Sequence, residues 1–523
     1  MLAKVSSMAV VGLESYPVEV EVDIGQGLPA LNIVGLPDKA VEESKERVRS
    51  AIKNSGANFP MSRITVNLAP ADLKKEGPSY DLSIAVGILI ADKQLPQHGS
   101  KKSLFVGELA LNGNLRHVNG ILPIIISAKE KGFNKVYLPV INAIEASLID
   151  EVEIIPVESL HDLILHFKDE KLIKPFERTS DLPDIAYNPD NDFSFIKGQE
   201  SAKRALEIAA AGGHNILMSG PPGSGKTLLA KSFSSVLPRL NKNEVLEVTK
   251  IYSIAGMLPS DSPLVSVRPF RNPHHTASHI ALVGGGAWPK PGEISLSHRG
   301  VLFLDEFPEF PRSVLESLRQ PLEDGIVTVS RASGSLTFPA RFILVAAQNP
   351  CPCGYLTDPN KQCICTPTQI IRYQKRVSGP ILDRIDLHIE VPRVKYDELI
   401  DNKVSEKSES IRARVENARK IQSKRFACSD LSRTKLNEQS RRVDSVVSIN
   451  SEMRPQDIKK HCSVDEPTQN LLKSAVNQFN LSARAYSRIL KLARTIADLA
   501  NSERIGQDHV AEALQYRPKE SRY

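Results

Sequence analysis

At 523 residues the chain is too long for one ordinary hydrophobic core, so about three domains are expected. Its composition, 41% hydrophobic and 24% charged, is that of a soluble globular protein, and no apolar run approaches the roughly 18 residues needed to span a bilayer, which excludes a membrane-embedded role. A net charge of +6 is too small on a chain of this size to identify a polyanionic partner.

The first residues are briefly apolar, but Glu14, Glu19, Glu21 and Asp23 interrupt them before a secretory core forms, so they read as a first strand of a cytoplasmic protein. Residues 18–24, 30–34 and 64–68 are β-rich and bounded by Gly or Pro, whereas 39–54 have helical spacing with a charged face. Residues 1–172 are therefore expected to form a compact α/β domain. Pro175, Pro183 and Pro189 with several acidic residues mark 173–192 as a linker. From 193 to 394, apolar strand runs end in phosphate-type loops or acidic pairs and alternate with helices, the rhythm of a doubly wound parallel sheet. Residues 395–523 turn to Arg, Lys, Glu, Ala and Leu with 3.6-residue periodicity and are expected to be helical, with a loose polar stretch at 401–414.

The chemistry concentrates in the middle domain. In Gly220-Pro221-Pro222-Gly223-Ser224-Gly225-Lys226-Thr227 the glycines let backbone N–H groups approach a phosphate chain, Lys226 supplies a point charge, and Thr227 offers a hydroxyl to Mg²⁺. The apolar run before it and the helix start after it fit a strand–loop–helix phosphate site for ATP. A second buried run, 301–304, ends in Asp305-Glu306, which places Asp305 to hold Mg²⁺ and Glu306 to polarise a water. A third, 342–347, leads to Asn349, whose amide is a candidate for the γ-phosphate or that water. Arg384, flanked by Asp383 and Asp386, and Arg484 are candidate charge-stabilising arginines; each also reads as a surface ion pair.

Cys351, Cys353, Cys363 and Cys365 form two close pairs able to surround one tetrahedral Zn²⁺ if loop 351–365 folds back; the competing reading is a reduced, metal-free loop. Cys428 and Cys462 read as unpaired thiols. His274 and His275 are expected to point apart, as polar loop residues. Residues 326–329 and 335–338 flank a sharp turn, a β-hairpin with Arg331 near its tip, and 284–293 form a second projection containing Trp288 and Lys290. By themselves Arg331 and Lys290 read as charges on ordinary exposed turns; a resemblance to ring helicases, whose hairpins at these two places touch the DNA backbone, implies that they are candidate DNA contacts.

This order of parts resembles the AAA+ ATPases of the magnesium-chelatase-like group, and most closely the ComM (YifB) family. The likeness runs through Gly35-Leu36-Pro37-Asp38, Lys74-Lys75-Glu76-Gly77-Pro78-Ser79-Tyr80-Asp81, residues 268–276 and 281–286, and the helix at 483–499. The resemblance implies that Asn349 is sensor 1, that Arg384 is a finger reaching a neighbour's ATP, and that Arg484 is sensor 2 acting from the helical lid. It also implies a ring, expected to be a hexamer, and ATP-driven helicase action in branch migration of single-stranded and branched DNA during natural transformation and homologous recombination. A motor subunit of a metal-chelatase-like or protein-remodelling complex is the alternative. The segment around Ser79 resembles the nucleophile region of Lon-type Ser-Lys proteases, which implies a Lon-protease-like (S5 domain 2-like) fold for 1–172. Where that family places its lysine this chain has Leu122, with Lys129 and Lys131 further along, so no peptidase activity is expected.

Overall fold

The computed structural model describes residues 2–97, 102–177, 191–258, 264–286, 290–331, 334–394, 405–430 and 447–518. Two compact units emerge. The first comprises residues 1–184 with 241–266, and the second 185–240 with 267–523.

In the first unit β1 (Leu2–Val11) and β2 (Glu14–Gly25) form a long antiparallel pair. With β3 (Ala30–Val34), β4 (Arg63–Ala69), β5 (Ser103–Phe105), β8 (Lys135–Pro139) and β9 (Glu153–Val157) they build a seven-stranded mixed sheet in the order β3-β4-β2-β1-β5-β8-β9, while β6 (Glu108–Leu109) and β7 (Leu115–Arg116) pair apart. Asp38 starts α1 (Lys39–Asn54) by accepting the Val41 N–H at 2.8 Å, and Val41, Val48 and Ile52 turn its apolar stripe inward. Helix α2 (Asp81–Ala91) is apolar all round and wholly buried, as a helix crossing the middle of a core must be. Gly87 permits its contact with the sheet: a Cβ there would sit 2.6 Å from Val22 Cγ2. Helices α3 (Ile121–Glu130), α4 (Ala143–Ala146) and α5 (Leu160–Phe167) complete the unit.

Leu122 is buried on α3, Lys129 pairs with Glu151 at 3.2 Å, and the Ser79 carbonyl accepts the Gly107 N–H at 2.9 Å. Residues 241–266, inside the 193–394 span that sequence assigns to the middle domain, group here instead. Their helix Lys242–Ala255 packs on α3, buries Val245, Val248 and Ile251, and accepts the Gly120 N–H on Ser253 Oγ at 3.0 Å.

The second unit opens with α6 (Glu200–Gly212), β10 (Ile216–Ser219) and α7 (Lys226–Val236); the helix Lys242–Ala255 is α8. Five strands, β11 (Phe270–Arg271), β14 (Val301–Leu304), β17 (Ile343–Gln348), β10 and β18 (Leu387–Glu390), form an all-parallel sheet in the order β11-β14-β17-β10-β18. Their buried, near-continuous apolar runs are what a sheet covered on both faces requires. Between β11 and β14 the chain forms α9 (His279–Val283), the hairpin β12 (Gly284–Gly285)–β13 (Lys290–Pro291) and α10 (Glu293–Leu296). Between β14 and β17 it forms α11 (Arg312–Ser317), α12 (Arg319–Asp324) and the hairpin β15 (Ile326–Arg331)–β16 (Gly334–Pro339), paired from Ile326↔Pro339 to Arg331↔Gly334. Helices α13 (Pro367–Gln374) and α14 (Gly379–Leu382) precede β18.

Helices α15 (Ser408–Asp430), α16 (Pro455–His461), α17 (Glu466–Phe479), α18 (Ala483–Leu499) and α19 (Gln507–Gln515) follow. Their buried side chains, including Ile411, Val415, Leu472, Ile489 and Ile496, belong to one hydrophobic cluster with Ile216, Met218 and Phe233, so the helical region shares a core with the sheet. Residues 408–414, expected to be loose, are helical, because Ile411, Val415 and Ala418 recur on one face. Most of the 173–192 linker, Trp288 and the side chains of Arg331 and Cys428 lie outside the described residues. Among the described residues no helix is long and apolar enough to cross a membrane.

Candidate active site

The phosphate loop leaves the C-terminal end of β10. Gly220 is required because a Cβ would collide with the Val391 carbonyl, and Gly225 caps α7 with φ +89°, a left-handed conformation that turns the helix's first N–H groups toward the loop. Lys226 is buried, and its Nζ donates to the carbonyls of Gly220 and Pro221 at 2.8 and 2.9 Å. Desolvation pushes its ammonium below the ordinary lysine value, with Asp305 opposing. Such a partly desolvated cation is primed for an anionic ligand.

The neighbouring strands deliver the remaining groups to the same sheet edge. Asn349 follows β17, which pairs with β10 through Ser219↔Gln348, and its Oδ1 lies 3.3 Å from Lys226 Nζ. Asp305 follows β14; its Oδ2 accepts the Thr227 hydroxyl at 2.8 Å and its Oδ1 accepts the Glu306 N–H at 2.9 Å. Open space lies over Gly223 and Gly225, where added Cβ atoms would meet nothing within 4 Å. The donor set therefore fits a nucleotide with its divalent cation: backbone N–H groups and Lys226 for phosphates, Thr227 and Asp305 for Mg²⁺.

Residues that sequence patterning did not single out for this site also take part. Gln199, left-handed at φ +60°, reaches from the start of α6 to the Ser224 carbonyl at 3.5 Å. His275 Nδ1 is 3.0 Å from Glu306 Oε2. The expectation that His274 and His275 point apart fails: their ring centroids are 4.2 Å apart, because the loop before α9 is not a strand and does not alternate its side chains. No local motif signals such a long-range pairing.

Arg384 lies elsewhere. It precedes β18, and its carbonyl accepts the Asn215 side chain at 3.0 Å beside the start of β10, whereas the phosphate loop leaves the far end of that strand. The parallel sheet thus separates Arg384 from its own loop by the length of β10, roughly 13–16 Å. Its guanidinium pairs with Glu323 of α12 and donates to the Pro380 carbonyl at 2.6 Å, and among the described residues Nε has no hydrogen-bond partner.

Arg484 is exposed near the start of α18. Hydrogen bonding by Arg384 chiefly holds Glu323 below the usual carboxylate range, and the charges of Arg484 and Arg319 add to this. One turn on, Arg488 donates to the Ile385 carbonyl at 2.8 Å. Arg484 thus lies within electrostatic reach of Glu323, the ion-pair partner of Arg384. His214 bridges Asp386 (3.0 Å) and Thr495 (2.8 Å) and so ties α18 to the N-terminal edge of the sheet.

The cysteine loop follows Asn349. Cys351, Cys353, Cys363 and Cys365 bring their sulfurs within 4.8 Å of one another, with three separations of 3.4, 3.7 and 3.6 Å. Zn–S bonds of about 2.3 Å place the sulfurs of a tetrahedron about 3.8 Å apart, so the set fits one zinc ion and is too wide for disulfides. Backbone N–H groups of Tyr355 and Ile364 point at Cys353 Sγ. Lys361 and Arg393 cover the Tyr355 ring, and Arg393 pairs with Asp358 at 3.0 Å, which closes the loop onto the end of the sheet. Cys462 is a buried free thiol.

Residues 192–399 match the family model described as magnesium chelatase, subunit ChlI; 20–142 match that of subunit ChlI of Mg-chelatase, and 405–517 its ChlI C-terminal part. The competence protein ComM of Haemophilus influenzae is 43% identical over 521 residues, covering 99% of this chain and 97% of that protein. The chain belongs to the ComM (YifB) family of magnesium-chelatase-like AAA+ ATPases. YifB of Escherichia coli, 42% identical over 517 residues, covers 99% of this chain and 97% of its own. Lon protease 2 of Bacillus subtilis is 30% identical over 189 residues, a third of either chain. The α/β multidomain fold with a Lon-like likeness, an AAA+ parallel-sheet core and a helical C-terminal region agrees with the sequence reading.

Proposed function

We propose that this protein is an ATP-driven ring motor, hexameric and cytoplasmic, that moves strands of single-stranded and branched DNA as a branch-migration helicase in homologous recombination of incoming DNA. One observation carries the DNA reading. Two antiparallel hairpins, β12–β13 and β15–β16, interrupt the parallel core and lie side by side, with Lys290 exposed at the end of the first. Lys290 and Arg331 would contact phosphates, which supply sequence-independent affinity. That a relative is named a competence protein supports the same reading.

ATP with Mg²⁺ supplies the phosphoryl group whose transfer to water drives the motor. Lys226 and the loop N–H groups hold the phosphates, Thr227 and Asp305 hold the cation, Asn349 orients the terminal phosphate or water, and Glu306 takes the water's proton. Arg384, at the opposite end of β10 from its own phosphate loop, would serve a neighbouring subunit's site, and Arg484 would cross with it. A finger in trans requires a ring. We assign Zn²⁺ to the four cysteines as a structural brace, and working boundaries of 1–172, 193–394 and 395–523 with a linker at 173–192, residues 241–266 being counted with the first unit.

ATP hydrolysis with single-stranded, duplex and branched DNA, alongside displacement of a labelled strand from a three-stranded junction, tests this. Stimulation with displacement is expected. Neither would turn the reading to a chelatase-like or protein-remodelling motor.

A further inference from the structure

The two residues before β10, His214 and Asn215, grip the segment that carries Arg384. The Asn215 side chain spans two elements at once: its amide N–H donates to the Arg384 carbonyl at 3.0 Å, and its Oδ1 accepts the Leu344 N–H of β17 at 2.8 Å. A carboxamide suits this place because it donates and accepts from one planar group, whereas a carboxylate lacks the donor and an aliphatic chain lacks both. The Asn215 carbonyl accepts the N–H groups of Asp386 and Leu387 at 3.1 and 3.0 Å. His214 Nδ1 adds a bond to the Asp386 carboxylate at 3.0 Å. From the other side Arg488 of α18 donates to the Ile385 carbonyl at 2.8 Å, with its Nη2 3.7 Å from Asp383 Oδ1.

The backbone under Arg384 is therefore fixed at several points. The N–H groups of Arg384 and Ile385 donate to the carbonyls of Ile381 and Leu382 at 2.9 Å in each pairing's turn, 2.9 and 3.1 Å respectively, and their own carbonyls are taken by Asn215 and Arg488. The guanidinium is held far less, by the exposed Glu323 and the Pro380 carbonyl, and among the described residues its Nε has no hydrogen-bond partner. A fixed base under a lightly held head suits a side chain that must reach a defined point on another molecule, and a misplacement of about 1 Å in such a group costs on the order of 10²-fold in rate. The phosphate loop leaves the far end of β10, so Asn215 is separated from its own loop by the same strand that separates Arg384 from it.

We infer that Asn215 is a positioning residue for Arg384: although it opens the strand that leads to its own subunit's phosphate loop, it acts on the ATP of the neighbouring subunit. This rests on the reading of Arg384 as a finger supplied in trans.

The test is steady-state ATP hydrolysis by the full-length chain as Asn215→Ala and Asn215→Asp, each alone and each mixed one to one before assembly with Glu306→Gln or with Arg384→Ala. Asn215→Asp keeps the acceptor for the Leu344 N–H and removes only the donation to the Arg384 carbonyl. Expected for both variants alone is a fall of about ten- to a hundredfold in kcat with KM for ATP unchanged. Mixed with Glu306→Gln, either variant recovers to about a quarter of the wild-type rate, because its intact site meets an intact finger; mixed with Arg384→Ala it stays inactive, because neither chain supplies one. An unchanged kcat, a raised KM, recovery with Arg384→Ala, or recovery with neither partner overturns the inference. The mixture of Arg384→Ala with Glu306→Gln separates the two readings: if it fails to recover, the finger reading falls too, and if it recovers while the Asn215 mixtures do not, only the positioning role is lost.

Discussion

Gly354 of the cysteine loop stands against Pro222 of the phosphate loop: with φ +83°, it sits where a Cβ would come within 2.6 Å of Pro222 Cδ and 2.7 Å of Cγ. The same Cβ would lie 3.7 Å from Asn349 Cγ. The loop bearing the four sulfurs is therefore built against the two segments that would hold phosphate.

Gly354→Ala is accordingly expected to raise KM for ATP about five- to tenfold, since a left-handed alanine costs roughly 1–2 kcal/mol and its methyl pushes on Pro222. Cys363→Ser is expected to lose zinc and raise KM in the same direction. Elemental analysis and nucleotide titration check both. An unchanged KM in a zinc-free variant would show that the cluster does not brace the site.

The position of Arg384 predicts complementation. Arg384→Ala and Glu306→Gln should each lose most ATP hydrolysis, about 10³-fold for a finger arginine. Mixed one to one before assembly, they regain activity, because a site from the first can meet a finger from the second. Random assembly makes about a quarter of the interfaces competent, which sets the expected rate relative to wild type. A mixture as inactive as its parts would place Arg384 outside the neighbour's site.

Much of this site is legible in the chain because its parts are local. Gly220 to Thr227, Asp305-Glu306 and Asn349 each end an apolar strand run, and a parallel sheet gathers strand ends at one edge, so order alone predicts their meeting. The cysteine quartet is read the same way, from spacing. What escaped the sequence is non-local. His275 reaches Glu306 across 31 positions, and Arg384 reaches Glu323 across 61. Helix α8 looks like part of the ATPase core by position, yet its apolar face is satisfied by α3. Amphipathic spacing says that a helix buries a face but not against which partner.

The hairpins predict a split between basal and stimulated rates. Arg331→Ala and Lys290→Ala should each lower DNA-stimulated hydrolysis more than DNA-free hydrolysis. Each should also reduce the slope of log affinity against log salt by about one. Binding titrations at several salt concentrations measure this; equal losses with and without DNA would remove the residues from the strand path.

Glu145 predicts a pH dependence in the first unit. Burial pushes its carboxyl up to about 6, opposed by hydrogen bonds from Ser253, the Leu122 N–H at 3.0 Å and Asn142 at 3.5 Å. The folded value lies above the ordinary 4.5, so the folded unit binds the proton more tightly. Its favourable contribution is complete below about pH 4.5 and is lost as pH rises through about 6. The difference between the two values corresponds to ~2 kcal/mol. Glu145→Gln, neutral throughout and still able to accept the Leu122 N–H, should match wild type near pH 4.5. It should gain relative stability up to about pH 6.5 and then hold that gain. Hydrogen exchange of the α3 amides across this range measures the difference. A gap that stays constant with pH would mean that Glu145 titrates at its ordinary value despite its burial beneath α3 and α8.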